Sequence, residues 1–173
     1  VNFATLIPAL KTWAAEALEL SEGAVLWANE ERGFTGDLFL ELSIPTTTRI
    51  GMDWTTTRIE GDQQIPVRLG VREFVLQVEI QSDSQDPRDL AVQVAESLRT
   101  RGALEELLAG TKAANLALVD VGDAQTADVE VDGRMVSRAA VPVRWRTVSV
   151  FEATQHARDT IATADPVAST FNR

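Results

Sequence analysis

Residues 71–81 read VREFVLQVEIQ and run directly into SDSQDPRDLAVQVAESLRTR, residues 82–101. Phe74, Leu76, Val78 and Ile80 fall on every second position, with Glu73, Gln77, Glu79 and Gln81 between them and only Val75 out of step. A period of two marks a strand with one dry and one wet face, because successive side chains leave the backbone on opposite sides. The continuation has helical spacing. Asp86 is a capping residue, Pro87 suits a first helical position, and Leu90, Val94 and Leu98 recur at i, i+4 and i+8. Ala91 and Ala95 widen that stripe enough to lie flat on a sheet. The stretch predicts a central strand, an acidic turn and a covering helix, and it holds no catalytic group.

Upstream of this unit, Asp37–Ile44 alternates with Leu38, Leu40, Leu42 and Ile44 inward, and Pro45 belongs at an edge or bulge because it has no amide proton. Between them lies Thr46–Gly70, rich in threonine and arginine and poor in large aliphatics, with Ile50, Met52 and Trp54 still alternating. Glu60-Gly61-Asp62-Gln63 is its turn. The segment reads as a long β-hairpin projecting from the core. At the N-terminal end, Phe3–Leu20 is an amphipathic helix with Leu6, Leu10, Trp13, Ala17 and Leu20 on one face, and Pro8 moves its expected start toward Ile7. Ala24–Asn29 then forms a short strand and 30–36 a polar loop.

Downstream, Gly102 interrupts the helical pattern and Ala103–Gly110 adds a turn or two. Leu116, Leu118 and Val121 suggest a strand that ends at Asp120–Asp123. Val129 and Val131 enter a hairpin through Asp132-Gly133, and the returning strand carries Val141, Val143 and Trp145 on one face and Arg144 and Arg146 on the other. The fold class is therefore α+β, a single domain over 1–173. Its antiparallel or mixed β-sheet is covered by helices on one face, with a projecting hairpin arm at 46–70 and a C-terminal tail at 152–173.

The 173 residues carry a net charge of −10 and no cysteine. Disulfides and thiolate metal sites are thereby excluded, and the acidity disfavours DNA wrapping and anionic membranes. The start of the chain reads as neither a signal peptide nor a membrane span, which implies synthesis in the cytoplasm. Phosphate-cradling glycine loops and a GxSxG elbow do not occur. His156, the only histidine, reads as a solvated helix residue, with a general base as the alternative. Asp120, Asp123, Asp128, Glu130 and Asp132 form the densest acidic run. It is a solvated face, or else oxygen ligands for a hard cation. Arg49, Arg58, Arg68 and Arg72 gather on the arm and into the central strand. They are either a charged ribbon that discourages edge aggregation, or contacts onto the acidic surface of a neighbouring copy, with Asp128, Glu130 and Asp132 as their counterparts.

IPALKTWAAEAL, VLWANEE, GVREFVLQVEIQSDSQDPRDLAVQVAESL and VPVRWRTVSVFE, in this order and followed by a short polar tail, resemble the tail-terminator and neck proteins of long-tailed bacteriophages. The resemblance covers most of the chain. It implies a non-enzymatic virion protein without cofactors, assembled in the host cytoplasm as a ring, commonly a hexamer. Such a ring ends tail-tube growth and meets the tail tube protein and the head connector, while DNA passes through without specific binding and no membrane takes part. The long threonine-rich hairpin departs from a minimal version. Two other classes remain open from the residues: an α+β ligand-binding module, and a carboxylate- or metal-dependent hydrolase built on Asp120–Asp132.

Overall fold

The computed structural model of the protein describes residues 3–28, 30, 37–110, 116–126, 128–131 and 133–152. Three helices and eight strands follow in the order α1 (Phe3–Ala17), β1 (Val25–Trp27), β2 (Leu38–Glu60), β3 (Gln63–Ser82), α2 (Pro87–Arg99), α3 (Arg101–Gly110), β4 (Leu116–Val121), β5 (Gln125–Thr126), β6 (Val129–Val131), β7 (Arg134–Val136) and β8 (Arg138–Glu152). An open six-stranded sheet has the order β1-β2-β3-β8-β4, with β5 also on β8, while β6 and β7 pair separately. The β1–β2 pair is parallel and the others are antiparallel, so the sheet is mixed. His156 and the segment 153–173, like Asp132, lie outside the described residues.

The alternation in β3 places its apolar half where the sequence puts it. Phe74, Leu76, Val78 and Ile80 are all buried, and they face Trp145, Val143, Val141 and Ala139 across the β8 ladder. Leu42 and Leu40 extend two of these rows through Val78 and Ile80. The helices close this face: Leu90, Ala91, Val94, Ala95 and Leu98 of α2 and Leu6, Leu10, Trp13 and Ala14 of α1 join the same core. Asp86 caps α2 by accepting from Arg88 N at 2.8 Å, and Pro87 occupies its first position, where an amide proton would lack a partner. The two long helices are tied by polar bonds as well. Trp13 Nε1 donates to Ser97 Oγ at 3.1 Å, and Gln93 Nε2 donates to the Ala17 carbonyl at 3.1 Å.

Four boundaries differ from the sequence reading. Helix α1 begins at Phe3, so Pro8 falls inside it. It stops at Ala17 because Glu19 adopts a left-handed φ of 53°. The bonds Leu20 N to Ala15 O and Glu19 N to Glu16 O then satisfy carbonyls of the last turn, the usual motif of a helix C-terminus with a glutamate where glycine is common. Gly102 does not break a helix; it sits in the first turn of α3, after Thr100 has ended α2 in an extended conformation. Strand β2 runs from 38 to 60, so the segment 46–70 prolongs sheet strands past a bulge at Ile44 and Pro45. The hairpin closes through Gly61 and Asp62, with φ +59° at Gly61 alone, the pattern of a type II′ turn.

Leu76 and Leu98 lie at the centre of the sheet–helix contact, with 0% and 1% of their surfaces exposed. Replacing either with alanine is expected to lower unfolding free energy by ~2–5 kcal/mol, the range for a buried leucine that leaves a cavity. Urea denaturation checks this, and unchanged midpoints in both variants would remove this unit from the core.

Candidate functional site

The alternation of apolar and polar residues reverses partway along the sheet. In β3 the helix-side residues are apolar from Phe74 to Ile80, but the same face continues as Arg72, Gly70 and Arg68. Its other face is polar at Glu73, Gln77 and Glu79, and becomes apolar at Val71 and Leu69. Strand β8 reverses at the same level. Trp145 gives way to Thr147 and Ser149 on the helix side, and Arg146 gives way to Val148 and Val150 on the outer side. The dry side of the sheet thus changes over between its body and its distal part.

Strand β2 follows by means of a bulge. Ile44 and Pro45 stand opposite the single residue Leu76, so the strand gains one residue there. A one-residue shift sends every later side chain to the opposite face. Leu40 and Leu42 therefore enter the core, whereas Ile50 and Trp54 emerge on the outer face. Two rows result, each crossing three strands: Ile50–Val71–Val148 and Trp54–Leu69–Val150. Trp54 and Val150 remain 47% and 48% exposed, and Ile50 is also exposed.

A second bulge lies between the rows. Gly51, Met52 and Asp53 stand opposite Gly70 alone, with Gly51 at φ +68°. The extra residues turn Asp53 toward the helix side, where its carboxylate lies over Gly70. A β-carbon on Gly70 would collide with the Asp53 carboxylate and the Arg72 guanidinium, so the close approach requires glycine. Arg72 grips Asp53 with two donors, Nη1 to Oδ1 at 2.8 Å and Nη2 to Oδ2 at 3.1 Å, and Arg68 Nη2 adds a contact to Oδ2 at 3.1 Å. The Asp53 side chain is only 4% exposed. Its pKa is held below the ordinary carboxylate value, first by the Arg72 hydrogen bond, against an opposing effect of desolvation, and further by the charges of Arg72, Arg68 and Arg49. The same bond raises Arg72. Beneath this clamp, Thr147 and Ser149 are buried.

The arginines singled out in the sequence are thus brought together, but largely on acids of their own chain. Arg68 and Arg72 converge on Asp53, Arg49 lies across the ladder from Arg72, and Arg58 pairs with Glu60 at 2.7 Å. Their acidic counterparts are elsewhere. Asp128 accepts from Ser137 Oγ at 3.1 Å and from Arg138 N at 3.2 Å, and Glu130 is exposed on β6. Because Arg138 is the ladder partner of Gln81, that hairpin sits about 30 Å from Arg72, nine residues of strand at about 3.3 Å each. Ile50, Trp54, Leu69, Val71, Val148 and Val150 were not identified as one surface from sequence. The signal that marks them is the change of phase in VRLGVREF, where Val67, Leu69 and Val71 take odd positions before Phe74 takes an even one.

No metal-ligating cluster is found among the described residues, and none of the described helices is long and apolar enough to cross a membrane. A cleft of about 710 Å³ between the helices is lined by Ala9, Trp13, Ala17 and Leu107, with the exposed Glu16 and Glu106 among its polar residues.

A family model described as phage neck terminator protein matches residues 4–173. No curated protein matches the chain. Among solved structures, a chain from the virion of a native gene transfer agent particle aligns with 83% of this chain and 98% of its own length, at 14% identity and a TM-score of 0.28. That likeness is too distant to carry an argument.

The clamp has a defined pH signature. A carboxylate depressed in the folded state stabilises fully above its unfolded value of about 3.9, and the contribution is lost as pH falls through the depressed value. Asp53→Asn should melt a few degrees below the parent at pH 7, with the gap closing as pH drops below about 4. Gly70→Ala should reproduce the neutral-pH loss. A gap that stays constant from pH 7 to pH 3 would show that the Asp53 charge is not what holds the bulge.

Proposed function

The chain belongs to the phage neck terminator protein family, and from this footing we propose that it forms a ring that ends the tail tube and joins it to the head connector. The protein is a structural component of the virion neck, in contact with other structural proteins of the particle. The proposal adds the ring, a homohexamer, and its two neighbours, the tail tube protein and the connector. It includes no catalytic step.

The observation that carries the reading is the distal sheet. From Arg72 to Gln63, strand β3 runs about 30 Å past the helix-covered core at the usual rise per residue. It has β2 beside it throughout and β8 as far as Val67. Beyond Leu42, the far edge of β2 has no neighbouring strand among the described residues. A long ribbon with an open edge is a surface for a partner, since strand edges supply ready donors and acceptors. A cyclic assembly needs two different patches on each subunit that meet head to tail. The arm and the body supply such a pair, separated along the molecule as ring closure requires. Arg49 and the acidic residues Asp128 and Glu130 lie about 30 Å apart along the sheet, so contact between them requires two copies. The charge of −10 suits a lumen that lets DNA pass, because a negative wall releases phosphate and offers no counterion gain.

Replacing Thr55–Arg68 with Asn-Gly shortens the arm at the Trp54–Leu69 pair and leaves the body strands whole. The shortened protein is expected to melt cooperatively but to sediment as a monomer, and to leave heads and tails unjoined in a complementation assay. Normal rings and normal joining would remove the arm from assembly. At low salt, where electrostatic binding is strongest, the full chain should give no gel shift with duplex DNA. A tight complex there would overturn the lumen reading.

A further inference from the structure

We infer that the outer apolar face of the arm, Ile50, Trp54, Leu69, Val71, Val148 and Val150, is the surface that seats on the body of a second copy of this chain. The inference deepens the ring reading and rests on it. Six large apolar residues occupy two neighbouring ladder rows on one face, with Ile50, Trp54 and Val150 exposed and Leu69, Val71 and Val148 half-buried. Met52, 86% exposed, emerges from the bulge beside them. Scattered exposed aliphatics are ordinary, but a contiguous patch with a polar border marks an interface.

The border is already neutral. Toward the body, Arg146 Nη2 donates to Glu73 Oε2 at 2.9 Å, and Arg144 lies 3.7 Å from the same carboxylate. Toward the tip, Arg58 pairs with Glu60. Both ends of the patch therefore carry both signs, matched within the chain.

Charge decides the occupant. Residues 46–72 hold four arginines against three acids, in a chain whose net charge is −10. Residues 147–152 of β8, which complete the arm, add Glu152, so the arm is neutral and the remainder of the protein holds the whole −10. Two copies repel body to body, whereas the neutral arm meets a body without that repulsion, which favours the head-to-tail arrangement. Nucleic acid is not a candidate for this face. Each of its arginines, Arg58, Arg144 and Arg146, has a carboxylate of the same chain within 4 Å, and a backbone binder needs free cations to replace counterions.

The chain's lack of cysteine allows a direct test. Val150→Cys places one thiol in the patch, and Val92→Cys places one at a similarly exposed position on α2. The full-length variants are labelled with a maleimide dye across a dilution series, with sedimentation velocity run at the same concentrations. In assembled protein, labelling at residue 150 should slow in proportion to the open fraction, about tenfold when about one chain in ten is free. Residue 92 should label at one rate throughout. Ile50→Cys, on the neighbouring strand, provides the same readout should Val150→Cys misfold. Val150→Glu should sediment as a monomer with an unchanged melting temperature.

Equal labelling at both sites in protein that sediments as a ring would overturn the inference and leave the ring intact. A chain that is monomeric at every concentration would overturn it too. The same result follows if protection appears only when another neck protein is added, which would assign the patch to that partner. Protection at residue 150 in a protein that fails to join heads to tails would uphold this contact and count against the neck reading.

Discussion

The backbone ladder of β3 is the constraint on which everything else depends. From Val67 to Gln81 it has a strand on each side, β2 and β8. Its amide and carbonyl groups are therefore committed along a length that no single helix layer of this protein can cover. Helix α2 spans about 20 Å at 1.5 Å per residue, whereas twenty residues of strand span about 65 Å. A sheet of that length must have a second face or a second end without helices. The protein meets the requirement by exchanging its dry and wet sides: apolar inward under the helices, polar inward beyond them. The Asp53 clamp fills the inward side of the distal part, where no helix supplies apolar cover.

The strand–helix unit at the centre was legible because both periods are local and each residue reports its own face. Pro45 was legible as an edge or bulge residue for the same reason, since the missing amide proton is a property of one residue. What the bulge does was not legible. Alternation at Ile50, Met52 and Trp54 is visible in the chain, but which face it serves depends on counting Ile44 and Pro45 against Leu76, thirty residues away. The clamp was hidden more deeply. Arg68 and Arg72 read as available cations, and only the pairing of Gly70 with the Gly51–Asp53 bulge brings an acid to them. The end of α1 failed differently: Glu19 in a left-handed conformation carries no sequence mark, because glycine is the residue one looks for there.

Charge on this molecule divides into two kinds with different consequences. Exposed pairs such as Arg58–Glu60 and Arg101–Glu105 sit in solvent and contribute little to stability, about 0–1 kcal/mol each. Asp53 is enclosed, held by two guanidiniums and locked over a glycine, so it fixes backbone shape. The four arginines noted in the sequence thus play unequal parts. Arg72 and Arg68 shape the distal part of the sheet, Arg58 stays at its surface beside Glu60, and Arg49 adds positive potential around the clamp.

The two apolar rows span β2, β3 and β8, and their strands reach completion at different times. Strands β2 and β3 are joined by a two-residue turn, a local contact that closes fast, whereas Val71 and Val148 are separated by most of the second half of the chain. Synthesis makes β8 after all three helices and every other described strand. A nascent chain therefore carries only two-thirds of each row, and the last third arrives when the sheet closes. The timing acts as a checkpoint: the complete patch exists only on molecules that have finished folding.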